Sequence, residues 1–287
     1  MTTLAAEGPN AEQIKYWNEQ GPKWVRLQAQ LDLQLRPLGV STMERAGIGT
    51  GERILDVGCG CGETTLEMAR RTGPSGLVTG VDISAIALER ARQRAEEAGY
   101  KQARFEIADA QTAAFPPASV DLVFSRFGVM FFSDPVAAFA NLRGALQPGG
   151  RLAFVCWQSI QQNPWMMIPL AAVAQHVALP PPPAPHAPGP FAFADAERVR
   201  GILTQAGFEA LNFEAVDETL AIGGGGALDA AVDFVLQIGP VAAALRETGA
   251  DALAAVAAAI HEALAPFYTP QGVCMAAAAW IVTGRRA

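Results

Sequence analysis

The chain has 287 residues, 51% of them apolar and 17% charged, a balance that describes an ordered protein with enough length to bury a large core. Its formal charge of −7, with only three histidines, offers no basic surface to a phosphate backbone and argues against a nucleic-acid partner. No uninterrupted apolar run reaches the ~18 residues of a membrane span, the N-terminus lacks the order of a signal peptide, and the four cysteines read as reduced thiols, so the expected location is cytoplasmic.

Residues 1–9 carry no pattern. From Asn10 a helical periodicity begins, with Ile14, Trp17, Trp24, Leu27, Leu31 and Leu35 recurring at three, four or seven residues. Gly21-Pro22 is expected to break it into two short amphipathic helices. A buried strand follows at Ile54-Leu55-Asp56-Val57, then glycines at every second position, Gly58, Gly60 and Gly62, then a helix from Glu63. Glycine permits positive φ and lets backbone N–H groups approach a ligand that a side chain would hold off, and the positive end of the next helix suits an anion. A dinucleotide site wants G-x-G-x-x-G, and here the third glycine comes one residue early.

After the turn Gly73-Pro74-Ser75-Gly76, a second strand ends at Asp82, 20 residues beyond Gly62. One helix and one strand consume that distance, so the carboxylate returns to the edge of the sheet that carries the glycine loop. Asp82 is placed either for a ribose or to cap the next helix, and Ser84 is the better cap. That helix closes at Gly99, and a third strand, residues 103–108, ends in Asp109-Ala110. A fourth, Val120–Ser125, leads into Arg126-Phe127-Gly128, a helix starts at Ser133-Asp134-Pro135, and Gln147-Pro148-Gly149-Gly150-Arg151-Leu152 turns into a fifth strand from Ala153 to Trp157.

Asp56, Gly58, Gly60 and Gly62 match [DE]-x-G-x-G-x-G, and the chain resembles, over about residues 35–160, the class I S-adenosylmethionine (SAM) dependent methyltransferases, close to the type 11-like group that includes the ubiquinone and menaquinone biosynthesis enzymes. The L-x-P-G-G-x-L pattern at Leu146–Leu152 belongs to the same resemblance. It implies a Rossmann-like, doubly wound α/β fold with a seven-stranded sheet, the last strand antiparallel, SAM as cofactor and S-adenosylhomocysteine as product. It further implies that the cofactor lies against Asp56, Gly58, Cys59, Gly60 and Gly62, against Asp82 and Ile83, where the acid takes the ribose hydroxyls, and against Asp109 and Ala110, where the acid takes the exocyclic amine of adenine. Ser125 and Arg126 follow at the fourth strand, Arg126 toward the cofactor carboxylate, toward an anionic substrate group, or in a surface ion pair.

Beyond the fifth strand, Asn163–Met167 opens a helical patch and Leu179–Pro190 is proline-rich enough for an extended crossing. A helix over Asp195–Ala206, a sixth strand over Phe208–Leu220, helices over Leu228–Ile238, Val241–Thr248 and Asp251–Ala265, and a last strand over Cys274–Thr283 complete the reading. The chain is expected to form a single methyltransferase domain, residues 1–287, with an N-terminal helical lid (10–48), a cofactor core (49–160), a crossing (161–194) and a C-terminal half (195–287) with a helical insertion (227–266).

The activated methyl of SAM needs an aligned acceptor and, for some acceptors, a base. Tyr16, Trp17, Trp24, Phe127, Met130, Phe131, Trp157, Trp165 and Met166 are the candidate walls of an apolar or aromatic small-molecule site, each with plain core packing as the alternative. His176, His186 and His261 are the only histidines that offer a base, and none falls in a motif. No metal cluster is legible, since Cys59 and Cys61 have no second pair at ligand spacing. Oligomeric state is open between monomer and homodimer. Two other functions stay in view: a SAM-binding protein of this fold that transfers no methyl, and, with less support, a nicotinamide oxidoreductase, for which Tyr16, Tyr100 and Tyr268 lack a lysine four residues on.

Overall fold

Runs of aliphatic and β-branched residues that fill both faces of a strand belong in the middle of a parallel sheet. In the computed structural model, which describes residues 4–246 and 250–287, they take that place. β1 (Arg53–Val57) lies between β2 (Leu77–Asp82) and β4 (Val120–Arg126), with β3 (Ala103–Ile107) beyond β2 and β5 (Leu146–Trp157) beyond β4, all parallel. β8 (Gly272–Arg286) runs antiparallel between β5 and β6 (Phe208–Ala221), and a two-residue β7 (Tyr268–Thr269) pairs with β8. The order β3-β2-β1-β4-β5-β8-β6 is the expected doubly wound sheet with its last strand reversed.

Helices α3 (Glu63–Thr72), α4 (Ala85–Ala98) and α5 (Pro135–Ala145) connect the parallel strands. Their ends follow the sequence signals: Ala87 N–H donates to Ser84 Oγ, Ala137 N–H donates to Asp134 Oδ1 with Pro135 in the first turn, and Gly99 closes α4 in the left-handed conformation. Strand β5 starts seven residues before Ala153, because Leu146 already pairs with Val120; the register then jumps to Leu122 with Arg151, so Gln147–Gly150 are absorbed as a bulge rather than a separate turn. On that side of the sheet Phe139, Phe154 and Phe193, none more than 2% exposed, pack with ring centroids 5.6–6.2 Å apart.

The N-terminal helices depart from expectation. α1 (Ala11–Arg26) runs through Gly21-Pro22, and the chain breaks at Leu27 before α2 (Gln28–Ala46). A Cβ at position 21 would come within 2.9 Å of Ser84 Oγ and 3.3 Å of Ile86 Cβ. Gly21 therefore lets α1 lie directly on the start of α4, and that packing outweighs the one helical hydrogen bond that Pro22 withholds.

Beyond β5 come α6 (Pro164–Val173), a crossing over 179–190 without helix or strand, and α7 (Ala196–Gln205). Helices α8 (Leu228–Val235), α9 (Gly239–Ala244) and α10 (Ala250–Leu264) stand between β6 and β7. The expected helix over Val241–Thr248 ends at Ala244, and residues 247–249 lie outside the described ones. Among the described residues no helix is long and apolar enough to cross a membrane.

Candidate functional site

Parallel strands that end side by side bring their closing residues to one edge, and here that edge collects Asp56, Asp82 and Asp109 from β1, β2 and the loop after β3. Asp56 is fully buried; its Oδ2 accepts 2.6 Å bonds from Thr64 Oγ1 and Thr65 Oγ1 in the first turn of α3, whereas its Oδ1, also buried, makes no hydrogen bond. Burial pushes this acid up to about 6, against the pull of the two hydroxyls and of Arg126. Asp56 thus clamps β1 to α3 from beneath the glycine loop.

That loop folds back on itself. The N–H groups of Gly58 and Cys59 both donate to Val81 O (2.9 and 3.1 Å), Gly62 N–H donates to Cys59 O (2.9 Å), and Gly60 N–H donates to Asp82 Oδ2 (2.8 Å). Gly58 has φ +70°, and a Cβ there would lie 2.7 Å from Gly128 Cα, so two glycines from different strands meet backbone to backbone. Around a Cβ at Gly60 there is no atom within 4 Å, which leaves the crest of the loop open. Arg94 of α4 donates to Cys61 O at 2.7 Å and pairs with Asp32 of α2 at 2.8 Å, tying the loop to the N-terminal helices.

Asp82 accepts the N–H of Ser84 on Oδ1 and of Gly60 on Oδ2, each at 2.8 Å. Burial raises its pKa above the ordinary carboxyl value, and those amides oppose the rise. Ser84, not Asp82, accepts from Ala87 N–H at the start of α4. Ile83 O accepts from Asn18 Nδ2 of α1 at 3.3 Å. Asp109, 7% exposed, accepts from Gln111 N–H and Thr112 Oγ1 in its own loop and, on both oxygens, from Asn10 Nδ2 (2.9 and 3.0 Å). Ala110 beside it is buried, and its carbonyl accepts from Asn141 Nδ2.

At the end of β4 two expected contacts are redirected. Ser125 is fully buried, donating to Val57 O (2.7 Å) and accepting from Gly128 N–H (3.1 Å), so it braces β1 against the β4 loop instead of facing a ligand. Arg126 forms a 2.6 Å ion pair with Glu63 of α3, and its Cδ lies 3.1 Å from where a Cβ on Gly39 of α2 would sit; both partners are nearly buried, and of the three expected roles the ion pair is the one present. Cys59 likewise turns its thiol into the core, where burial raises its pKa.

The aromatic candidates fall into two groups. Phe127, at φ +60°, stacks on Trp157 with centroids 4.0 Å apart, and Trp157 meets Trp165 at 5.4 Å; Trp165 Nε1 donates to Asn163 Oδ1. Asn163 is fully buried and bonds Ala278 through both its N–H and its carbonyl, so it anchors α6 to β8 and fixes Trp165. Trp17 of α1 joins Tyr16, Trp24 and Phe131 at 5.0–5.3 Å, holding α1 on the β4 loop. Met130 and Met166 are buried in the main core. His176, His186 and His261 are all exposed, and His261 faces Asp229 at 3.4 Å; among the described residues none of the three hydrogen-bonds to a residue of the strand ends. Among the described residues no group of three His, Cys, Asp or Glu could hold a metal ion.

Sequence reading did not single out Asn10, Gln111 or Asn163. Asn10 stands where a helix cap belongs, yet it makes no side-chain cap and reaches Asp109, 99 residues away; only the fold brings the two together.

Residues 48–180 match the family described as "Methyltransferase domain". The chain is 39% identical over 118 residues to the aklanonic acid methyltransferase DauC of Streptomyces sp. (strain C5), an alignment covering 41% of this chain and 54% of that protein. It is 35% identical over 112 residues to the ubiquinone/menaquinone biosynthesis C-methyltransferase UbiE of Hahella chejuensis, covering 39% and 45%. The chain thus spans about half the length of these curated relatives. The fold is similar to that of the YcgJ protein from Bacillus subtilis, with a TM-score of 0.56 over 86% of this chain and 97% of that one at 17% identity.

Proposed function

We propose, from the premise that residues 48–180 belong to the class I SAM-dependent methyltransferases, that this protein transfers a methyl group to a small apolar or aromatic organic acceptor by in-line displacement. We read all 287 residues as one domain serving that reaction. The observation that carries the reading is the coupling of Gly60 to Asp82, because one 2.8 Å bond sets the glycine loop and the ribose-accepting acid in a fixed relation while the crest of the loop stays open. The residues present fit SAM: Asp82 keeps acceptor capacity for hydroxyl donors, Asp56 Oδ1 is a buried acceptor without a donor, and Ile83 and Ala110 offer apolar contacts beside them. When bound, SAM supplies an electrophilic methyl on a sulfonium.

The chain's own contribution is to bind, orient and exclude water. Phe127 follows directly on the β4 end, one residue before the Gly128–Gly58 contact, so it stands next to the cofactor loop as a partly exposed apolar ring backed by the buried Trp157 and Trp165. With the three histidines exposed, the reading favours an acceptor that ionises without a protein base. DauC and UbiE are named for acceptors of their own, and a small organic acceptor for this chain is in keeping with them.

Calorimetric titration of SAM, S-adenosylhomocysteine and NAD tests the cofactor, followed by a screen of hydroxylated and thiol-bearing aromatic compounds that reads S-adenosylhomocysteine formation. Binding of both SAM compounds with turnover on an aromatic acceptor is expected. Binding without turnover on any acceptor moves the protein to the non-transferring class, and binding of NAD alone overturns the reading.

A further inference from the structure

A carboxylate offers about four lone-pair positions to hydrogen-bond donors. At Asp109 three donors meet the two oxygens: Gln111 N–H reaches Oδ1 (2.9 Å), Thr112 Oγ1 reaches Oδ2 (3.2 Å), and the single Asn10 Nδ2 bridges both (2.9 and 3.0 Å). Gln111 and Thr112 are fixed by the loop to which Asp109 belongs. Asn10 is the residue before α1, so the one donor that reaches both oxygens of the acid is supplied by another element. That group is a carboxamide NH2, which resembles the exocyclic amine of an aminopurine in charge, size and donor number.

The rest of the contact holds the segment down. Asn10, 4% exposed, also donates to Gln111 Oε1 (3.1 Å) and accepts from Ser133 N–H on its Oδ1 (2.9 Å), and Gln111 Oε1 accepts in turn from Ser133 Oγ and Asp134 N–H. The network joins the start of α1, the β3 loop and the start of α5 around one carboxylate. Four residues into α1, Ile14 is buried at 2%, and Asn18 bonds the carbonyl next to Asp82. The first two turns of α1 therefore span the ends of both β3 and β2, the two places at which the family resemblance seats adenine and ribose.

We propose that Asn10 is an internal competitor of the cofactor: its amide occupies the adenine-recognising acid in the free protein, and the purine amine can bond Asp109 only after the start of α1 lets go. This rests on the SAM-binding reading. It goes further in making the N-terminal segment a gate that opens as the cofactor enters, and it assigns the affinity of the free enzyme to a contact far from the glycine loop. Ser133 N–H loses its partner when the gate opens, which gives the movement a reporter that does not depend on turnover.

The test is titration of S-adenosylhomocysteine into the wild type, Asn10→Ala and Asn10→Asp, with amide hydrogen exchange of the wild type in parallel. Both variants are expected to bind about tenfold more tightly, the factor that one charge-assisted hydrogen bond represents, with Asn10→Asp acting through repulsion of Asp109. Saturating ligand is expected to speed exchange at the Ser133 amide in the wild type, a measurement that stands even if a variant fails to fold. Wild-type binding with equal or weaker binding by both variants, or slower exchange at Ser133 on saturation, overturns the gate and leaves the proposed function intact. Absence of binding by all three proteins overturns both.

Discussion

The ends of β2 and β3 are neighbours in the sheet and each closes on an aspartate, but the two acids are satisfied by different kinds of donor. Asp82 takes backbone amides, one on each oxygen at 2.8 Å, from Gly60 and Ser84. Asp109 takes three donors, one of them the side-chain nitrogen of Asn10, which bridges both oxygens. Backbone amides in a folded loop cannot leave without unfolding it, whereas a side chain on a separate helix can. The β2 end is therefore preset for a ligand, and the β3 end must exchange one partner for another.

The largest effect is expected where both ends lose their common support. Gly58→Ala forces a side chain onto a residue at φ +70° and into Gly128 Cα, and a loss of about 3 kcal/mol in urea unfolding is expected from strain and overlap, with S-adenosylhomocysteine binding abolished. Next, Asp82→Ala removes the anchor of Gly60 and the ribose acceptor together, and a weakening of about 2–4 kcal/mol is expected by calorimetry. Asp109→Ala is expected to cost less, under about tenfold, because the same change removes the bond to the ligand and the competing bond to Asn10; an equal loss at both positions would erase the contrast between the two ends.

Asp56 separates stability from binding at the same edge. Its acid is raised to about 6 from an ordinary 3.8, so between those values the folded protein holds a proton that the unfolded chain has released. Stability from this group is complete below about 4 and falls as pH rises through about 6, at a cost on the order of 3 kcal/mol at neutral pH. Asp56→Asn is expected to flatten the thermal stability profile between pH 4 and 7, and an unchanged slope counts against the assignment. The smallest effect is expected of Thr112→Val, which frees one lone pair of Asp109 without disturbing α1. It should tighten S-adenosylhomocysteine by no more than about threefold.

Much of this edge was legible because the signals are local. Asp56, Gly58, Gly60 and Gly62 sit within seven residues, and the distance from Gly62 to Asp82 is set by one helix and one strand. Most helix ends followed from the same kind of evidence, whereas the doubly wound sheet with a reversed last strand followed from the family resemblance. What escaped depends on packing between distant segments. Pro22 reads as a helix break until Gly21 is seen to admit α4. Arg126 leaves ligand contact and ion pair open in the sequence, and its partner Glu63, 63 positions earlier, is found only in the fold, at 2.6 Å. Ser125 gives no sign that its hydroxyl will bridge Val57 and Gly128, and Asn10 looks like a cap because its partner belongs to another strand.

The reversed strand has a consequence for assembly. Among the described residues β6 pairs with no strand but β8, so β6 is joined to the rest of the sheet through β8 alone, and the two paired segments are separated by the whole helical insertion. Ala279, fully buried, stands opposite Trp157 on one side and Val216 on the other. A larger side chain at that one alanine would press at once on the strand that carries Trp157 of the aromatic stack and on the outermost strand, so a single position couples the rim of the sheet to its centre.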